Sequence, residues 1–229
     1  MPGTAETGFV LLPLVWAAVA GYLLGSLPFG YIVAKANGVN IFQVGSKSSG
    51  ATNVRRVVGT RAGGMVLGLD AIKGAVAAAA SLYISLPPGH FRESVLLGYV
   101  GLAFALVGHS FSCFTGFRGG KGVATAAGGL FVLMPVVAAI AAGVWGVFIL
   151  ATRIVSVASM AAAVSLPVSA YFLPQPGGRI AGAVTAFIAI FVIVNHRANI
   201  GRLLKGTEKR VDSEKNGNRP GEKPRNPKR

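Results

Sequence analysis

Residues 8–34 contain no charged side chain. A stretch this long exceeds the roughly 20 apolar residues that cross the hydrocarbon core of a bilayer. Its flanks lack the basic start and small-residue cleavage site of a removable signal peptide. Further apolar stretches follow at 65–86, 95–107, 154–173 and 180–194. Residues 123–150 are long for one helix and short for two. Pro135 falls near their middle, which favours two short helices or a re-entrant pair. The expected fold is therefore all-α: a polytopic integral membrane helix bundle of about seven transmembrane helices, some of them short.

Charge sets the expected orientation. Charged residues make up 13% of the chain, about half the share of a soluble domain, yet its net charge is +15. With two crossings in 123–150, Lys47, Arg55, Arg56, Arg61, Arg118, Lys121, Arg153 and the C-terminal tail share one face. Arg92, Arg179, Glu6 and Glu93 remain on the other. Cytoplasmic loops are rich in Lys and Arg, so the N-terminus is expected outside and the C-terminus in the cytoplasm. The chain divides into a membrane domain, 1–208, and a basic tail, 209–229. The tail's Pro, Asn, Gly and Lys suit disorder and attraction to anionic headgroups. Small-residue pairs, Gly21 with Gly25 and Gly143 with Gly146, suit close helix packing in lipid.

In so apolar a chain, polar islands stand out. The first, 45–56, reads Gly-Ser-Lys-Ser-Ser-Gly-Ala-Thr-Asn-Val-Arg-Arg. Small residues expose backbone N–H groups, hydroxyls add donors and Arg adds charge. A helix starting near Thr52 would complete an anion cradle. It is not a nucleotide P-loop, because Ala51-Thr52 stands where Lys-[Ser/Thr] is needed. The second, 108–125, surrounds Lys121 with Gly119, Gly120 and Gly122, so backbone can fold tightly around a phosphate. A helix starting near Thr125 aims its positive end there. Phe111, Phe114 and Phe117 suit an interfacial ridge. The third, 195–208, places His196 with Asn199, and Asn195 with Asn199, on one face if helical, and Gly206 ends that helix before Glu208. Asp70 and Lys73 lie one turn apart and suit an ion pair holding helices together. His90 reads as a loop residue.

Counting narrows the chemistry. One cysteine, Cys113, excludes an intramolecular disulfide and a cysteine zinc site. No acid cluster exists for magnesium, no Gly-x-Ser-x-Gly elbow, and no His-x4-Asp pair. Neither a metal nor a cofactor is expected, nor a nucleic-acid partner. Two classes fit a donor-rich, cationic rim: an enzyme moving a group between a lipid and a phosphorylated small molecule, or a transporter of a phosphorylated anion.

The islands resemble the three signature motifs of the bacterial acyl-phosphate-dependent glycerol-3-phosphate acyltransferases. Gly-Ser…Gly-Ala-Thr-Asn-x-x-Arg lies at 45–56, Gly-His-x-Phe…Phe-Arg-Gly-Gly-Lys-Gly-Val-Ala-Thr at 108–125, and His-Arg-x-Asn-Ile-x-Arg-Leu-x-x-Gly-x-Glu at 196–208. Gly25-Ser-Leu-Pro-Phe-Gly-Tyr and Asp70-Ala-Ile-Lys-Gly also fit. The likeness covers about residues 20–208. It implies seven helices in the plasma membrane and a cytoplasmic-side site, with acyl phosphate and sn-glycerol 3-phosphate as substrates. The implied products are lysophosphatidate and inorganic phosphate. It also implies a functional link to the enzyme that makes acyl phosphate. Ser46, Thr52, Asn53, Arg56, Lys121, His196 and Asn199 would line the site, with Glu208 supporting it. Gly45, His109, Gly119, Gly120, Gly122 and Asn195 fall in the same motifs and are expected at the phosphates. Lys121, Arg56, His196 and Asn199 are the expected catalytic set; His196 and the substrate's own phosphate are rival bases. Two departures stand out: Lys47-Ser48 replaces the family's Gly-Asn, and Ser112 replaces its Pro.

Overall fold

A computed structural model describes residues 4–82 and 91–211 of the 229. His90 and most of the tail lie outside them. Among the described residues every regular element is helical: α1 (Thr4–Ser26), α2 (Phe29–Ala36), α3 (Ala51–Val57), α4 (Thr60–Leu82), α5 (Phe91–Ser110), α6 (Val123–Leu133), α7 (Pro135–Thr152), α8 (Val155–Phe172), α9 (Arg179–Asn195) and α10 (Arg197–Leu204). A single 3-10 turn covers Cys113–Thr115.

Seven of these helices, α1 and α4 to α9, carry the apolar stretches. Five spans are long and apolar enough to cross a bilayer, and the α9–α10 pair, bent by 56°, makes six. The seventh helix, α6, has 11 residues and reaches only about 16 Å, against a core of about 30 Å. Pro135 explains its end. A proline lacks the N–H that an interior helix position needs but fits the first turn of a new helix, where α7 places it.

Residues 8–34 are not one rod. The chain breaks at Leu27-Pro28 between α1 and α2, and Lys73 Nζ donates at 2.9 Å to the Leu27 carbonyl, which also accepts from the Phe29 N–H at 3.1 Å. The same ammonium lies 2.8 Å from Asp70. The expected ion pair thus ties α4 to the end of α1.

Glycine brings α1 against α5. A Cβ on Gly21 would strike the Gly101 backbone, and one on Gly25 the Ala105 backbone. Gly143 and Gly146 differ: nothing lies within 4 Å of a Cβ at either. The expected packing role fails there, because α7 turns this face outward, beside the exposed Val147 and Leu150. The core lies between α5, α6, α7, α8 and α9, around Tyr99, Leu102, Leu106, Leu130, Met134, Leu166 and Ile188. Tyr99 closes it at the far end by donating to the Pro176 carbonyl at 2.6 Å. All three polar islands meet at the opposite end.

Candidate active site

Hydrogen bonds between loops assemble the site. Ser48 Oγ and Ser49 N–H both donate to the Gly119 carbonyl at 3.3 Å, joining the first island to the second. Arg118 reinforces this seam: it donates to the Phe42 carbonyl at 2.9 Å and lies 4.6 Å over the Phe42 ring. Lys121 Nζ donates to Asn199 Oδ1 at 2.6 Å, joining the second island to the third.

Within the first island Asn53 organises the loop. Its Oδ1 accepts from the Ser46 N–H at 2.9 Å, while Nδ2 donates to the Ser48 and Val44 carbonyls at 2.9 and 3.2 Å. Both ends of the amide are occupied by the chain itself. Gly45 (φ 60°) sits against Asn53 Oδ1, where a Cβ would collide. The next turn residue is Lys47, at φ 55° with a non-glycine side chain. The left-handed conformation costs it about 1 kcal/mol, so the loop keeps its turn without the family's glycine. Ser112, the other departure, donates to the Ser26 carbonyl at 2.6 Å.

Gly119 and Gly120 act behind the site. The Gly120 N–H donates to the His109 carbonyl at 3.1 Å. A Cβ on Gly119 would hit that carbonyl, and one on Gly120 would hit the His109 ring. The ring is buried, with Nδ1 3.2 Å from Thr125 Oγ1 and 3.6 Å from Asp70. This stack fixes the loop that presents Lys121.

The third island is organised by Glu208, whose side chain is 3% exposed. It accepts from Asn199 Nδ2 at 2.5 Å, Ser156 Oγ at 2.9 Å and Arg202 Nε at 2.6 Å. A carboxylate only accepts, so Asn199 must turn its NH2 toward Glu208 and its oxygen toward Lys121. Burial pushes the Glu208 carboxyl up; the bonds from Asn199, Arg202 and Ser156 outweigh it and hold it below the usual range. Burial pushes the Lys121 ammonium down to about 8, with Glu208 opposing and Arg202 and Arg56 adding. His196 is buried in the bend between α9 and α10. Its Nδ1 lies 2.7 Å from the Val192 carbonyl and so carries the proton, leaving Nε2 as an acceptor when the ring is neutral.

The result is a cleft of about 500 Å³. Ser46, Thr52, Asn53, Arg56, His109, Lys121, Gly122, His196, Asn199 and Glu208 line it. Gly45, Gly119, Gly120 and Asn195 do not. Asn195 parts from Asn199 because α9 ends there; it donates to Ser110 Oγ at 3.2 Å instead. Lining residues outside the expected set include Ser156, Ser159, Trp145 and Val211. Two serines three apart on an apolar helix were the available signal for the first pair. Arg56 Nη2 donates to the Lys209 carbonyl at 3.4 Å, and Val211 N–H to the Arg153 carbonyl at 2.8 Å. The chain after α10 therefore folds back across the mouth. Below the polar rim the cleft continues between α6, α7, α8 and α9, where its lining is apolar.

Such a cleft places cations and amide donors over an apolar slot, which suits a phosphate joined to a fatty chain. Residues 15–206 match the sequence profile described as glycerol-3-phosphate acyltransferase. A glycerol-3-phosphate acyltransferase of Synechococcus sp. (strain JA-3-3Ab) is 43% identical over 201 residues, covering 87% of this chain and 94% of the relative. One from Hyphomonas neptunium is 43% identical over 202 residues, covering 87% and 93%. The crystal structure of PlsY, an integral membrane glycerol 3-phosphate acyltransferase, in its glycerol 3-phosphate form superposes with a TM-score of 0.78. It is 35% identical and covers 86% of this chain and 95% of its own. Its lysophosphatidic acid form gives 0.75, at 35% identity and 86% and 94% coverage. By profile, identity over nearly the whole length, and fold, the chain belongs to the glycerol-3-phosphate acyltransferase family.

Proposed function

We propose that this protein transfers an acyl group from acyl phosphate to the 1-hydroxyl of sn-glycerol 3-phosphate, giving lysophosphatidate and inorganic phosphate. The observation that carries the reading is the continuity of one cleft, cationic at its mouth and apolar in its depth. The glycerol 3-phosphate and lysophosphatidic acid forms of the solved relative support the acceptor and product. The site faces the cytoplasm of the plasma membrane in this reading, because Lys47, Arg55, Arg56, Arg61, Arg118, Lys121 and Arg153 gather at its end of the bundle. The basic tail then lies along the same anionic leaflet. The reaction would be the first acylation of phospholipid synthesis, fed by an enzyme that makes acyl phosphate.

Arg56, Lys121 and the backbone amides of the two loops hold the two phosphates. The glycerol hydroxyl oxygen attacks the acyl carbonyl carbon, forming the ester C–O bond. The C–O bond to phosphate then breaks and its electron pair leaves with inorganic phosphate. Lys121 and Arg56 stabilise the charge that gathers on the carbonyl oxygen and the departing phosphate. Phosphate is a good leaving group, so no covalent enzyme intermediate is needed, and positioning supplies much of the rate. His196 Nε2 accepts a hydrogen bond from the attacking hydroxyl, and the proton passes to a phosphate oxygen of the substrate.

The test uses purified protein in detergent with acyl phosphate and glycerol 3-phosphate, reading phosphate release and lysophosphatidate. The expected result is equimolar formation of both, and none with acyl-CoA as the only donor. Flux of a phosphorylated anion into vesicles without lysophosphatidate would replace the enzyme with a transporter.

A further inference from the structure

The α6–α7 corner at Pro135 shapes the slot beneath the phosphate site. α6 packs on α4 and α5, whereas α7 packs on α8, so the two arms diverge toward the polar end. Their lining residues are mostly alanine, including Ala126, Ala127, Ala138 and Ala141, and α8 adds Ala162 and Ala163, which leaves room for a chain. Trp145 forms a side wall held by its Nε1 donating to Ser159 Oγ at 3.3 Å. The slot ends where Leu130, Ala138, Leu166 and Ile188 meet, from four different helices. Behind them Met134 and Val137 are fully buried, so the end is blind.

Two helices give the depth independently. From Ser156 to Leu166 along α8 is about 15 Å, and from His196 to Ile188 along α9 about 12 Å. An extended chain advances about 1.3 Å per methylene, from C–C bonds of about 1.5 Å. The slot thus holds about 10–12 carbons before the methyl end meets the floor.

We propose that Leu130, Ala138, Leu166 and Ile188 form a ruler that sets which acyl chains are gripped along their full length. The inference rests on the acyltransferase reading and adds the specificity determinants of the acyl subsite. Each methylene that enters the slot is desolvated and adds to transition-state binding, and those beyond the floor add nothing. Longer chains emerge on the exposed side lined by Leu67, Ala127 and Ala142.

The experiment measures kcat/KM for a graded series of saturated acyl phosphates with the full chain in nanodiscs. In the wild type kcat/KM rises with each added methylene and then breaks to a plateau at about 10–12 carbons. Ala163→Leu raises the floor by one turn of α8 and moves the break to chains shorter by about three methylenes. Leu166→Ala lowers the floor and moves the break to longer chains. If Ala163→Leu does not assemble, the opposite shift in Leu166→Ala carries the test. No break in the wild type, or a break that stays in place in the variants that assemble, overturns the ruler. Absence of turnover with every donor instead overturns the acyltransferase reading, so the two failures are distinguishable.

Discussion

Raising the pH should weaken glycerol 3-phosphate binding through Lys121. Burial drops its ammonium from 10.5 to about 8, a penalty of about 3 kcal/mol for carrying charge in the cleft. The sign follows from this depression: a lysine with a lowered pKa is charged below that value and loses its charge as pH rises through it. At about one pH unit above it, only about a tenth of the molecules carry the ammonium. A dianionic phosphate beside Lys121 favours the charged form, so binding above pH 8 takes up a proton. KM for glycerol 3-phosphate should therefore stay flat near pH 7 and rise about tenfold by pH 9. Steady-state phosphate release at saturating acyl phosphate, corrected for donor hydrolysis, reads this directly. Lys121→Arg keeps a permanent charge and should flatten the rise, even if its fork geometry lowers kcat. A flat wild-type profile over this range, or a rise equally steep in Lys121→Arg, would refute the assignment of Lys121 to the phosphate.

Three further outcomes follow from the geometry. Glu208→Ala removes the acceptor of Ser156, Asn199 and Arg202; it should destabilise the protein by about 3 kcal/mol and raise KM for glycerol 3-phosphate, read by thermal unfolding in detergent and by kinetics. Gly119→Ala forces a methyl group onto the His109 carbonyl and should cut kcat/KM about a hundredfold by displacing Lys121, while Gly143→Ala, with open space around it on the outward face of α7, changes the rate far less. His196→Gln keeps a hydrogen-bonding group and should lose less than about a hundredfold in kcat; a loss of several thousandfold would make the imidazole the base.

The spans were legible because lipid demands long uncharged stretches, and Pro135 marked the break between α6 and α7 by its missing N–H. Leu27-Pro28 carried the same signal inside 8–34 but lay within a stretch too apolar to look divided. The start of α3 at Ala51 and the end of α10 before Gly206 (φ 67°) follow their local signals closely. Asn53 was not legible in the same way. Its type and position mark it as a site residue, yet only the folded loop shows both ends of its amide taken by the backbone. Asn195 failed for a local reason, since the 56° bend at His196 ends the helical register that joined it to Asn199. Ser156 lies far from the islands in sequence, and only tertiary folding carries it to the cleft, while Val211 follows the third island by three residues and arrives by the fold-back of the chain after α10.

Glu208 and the chain that follows it to Val211 are emplaced after all the apolar helices have been made. A ribosome delivers the polypeptide from its N-terminus, so a nascent chain already threaded into the bilayer still lacks the acid that orients Asn199 and the segment that roofs the cleft. A chain cut before Glu208 would keep every apolar helix described above yet leave Asn199 without its acid and the cleft without its roof.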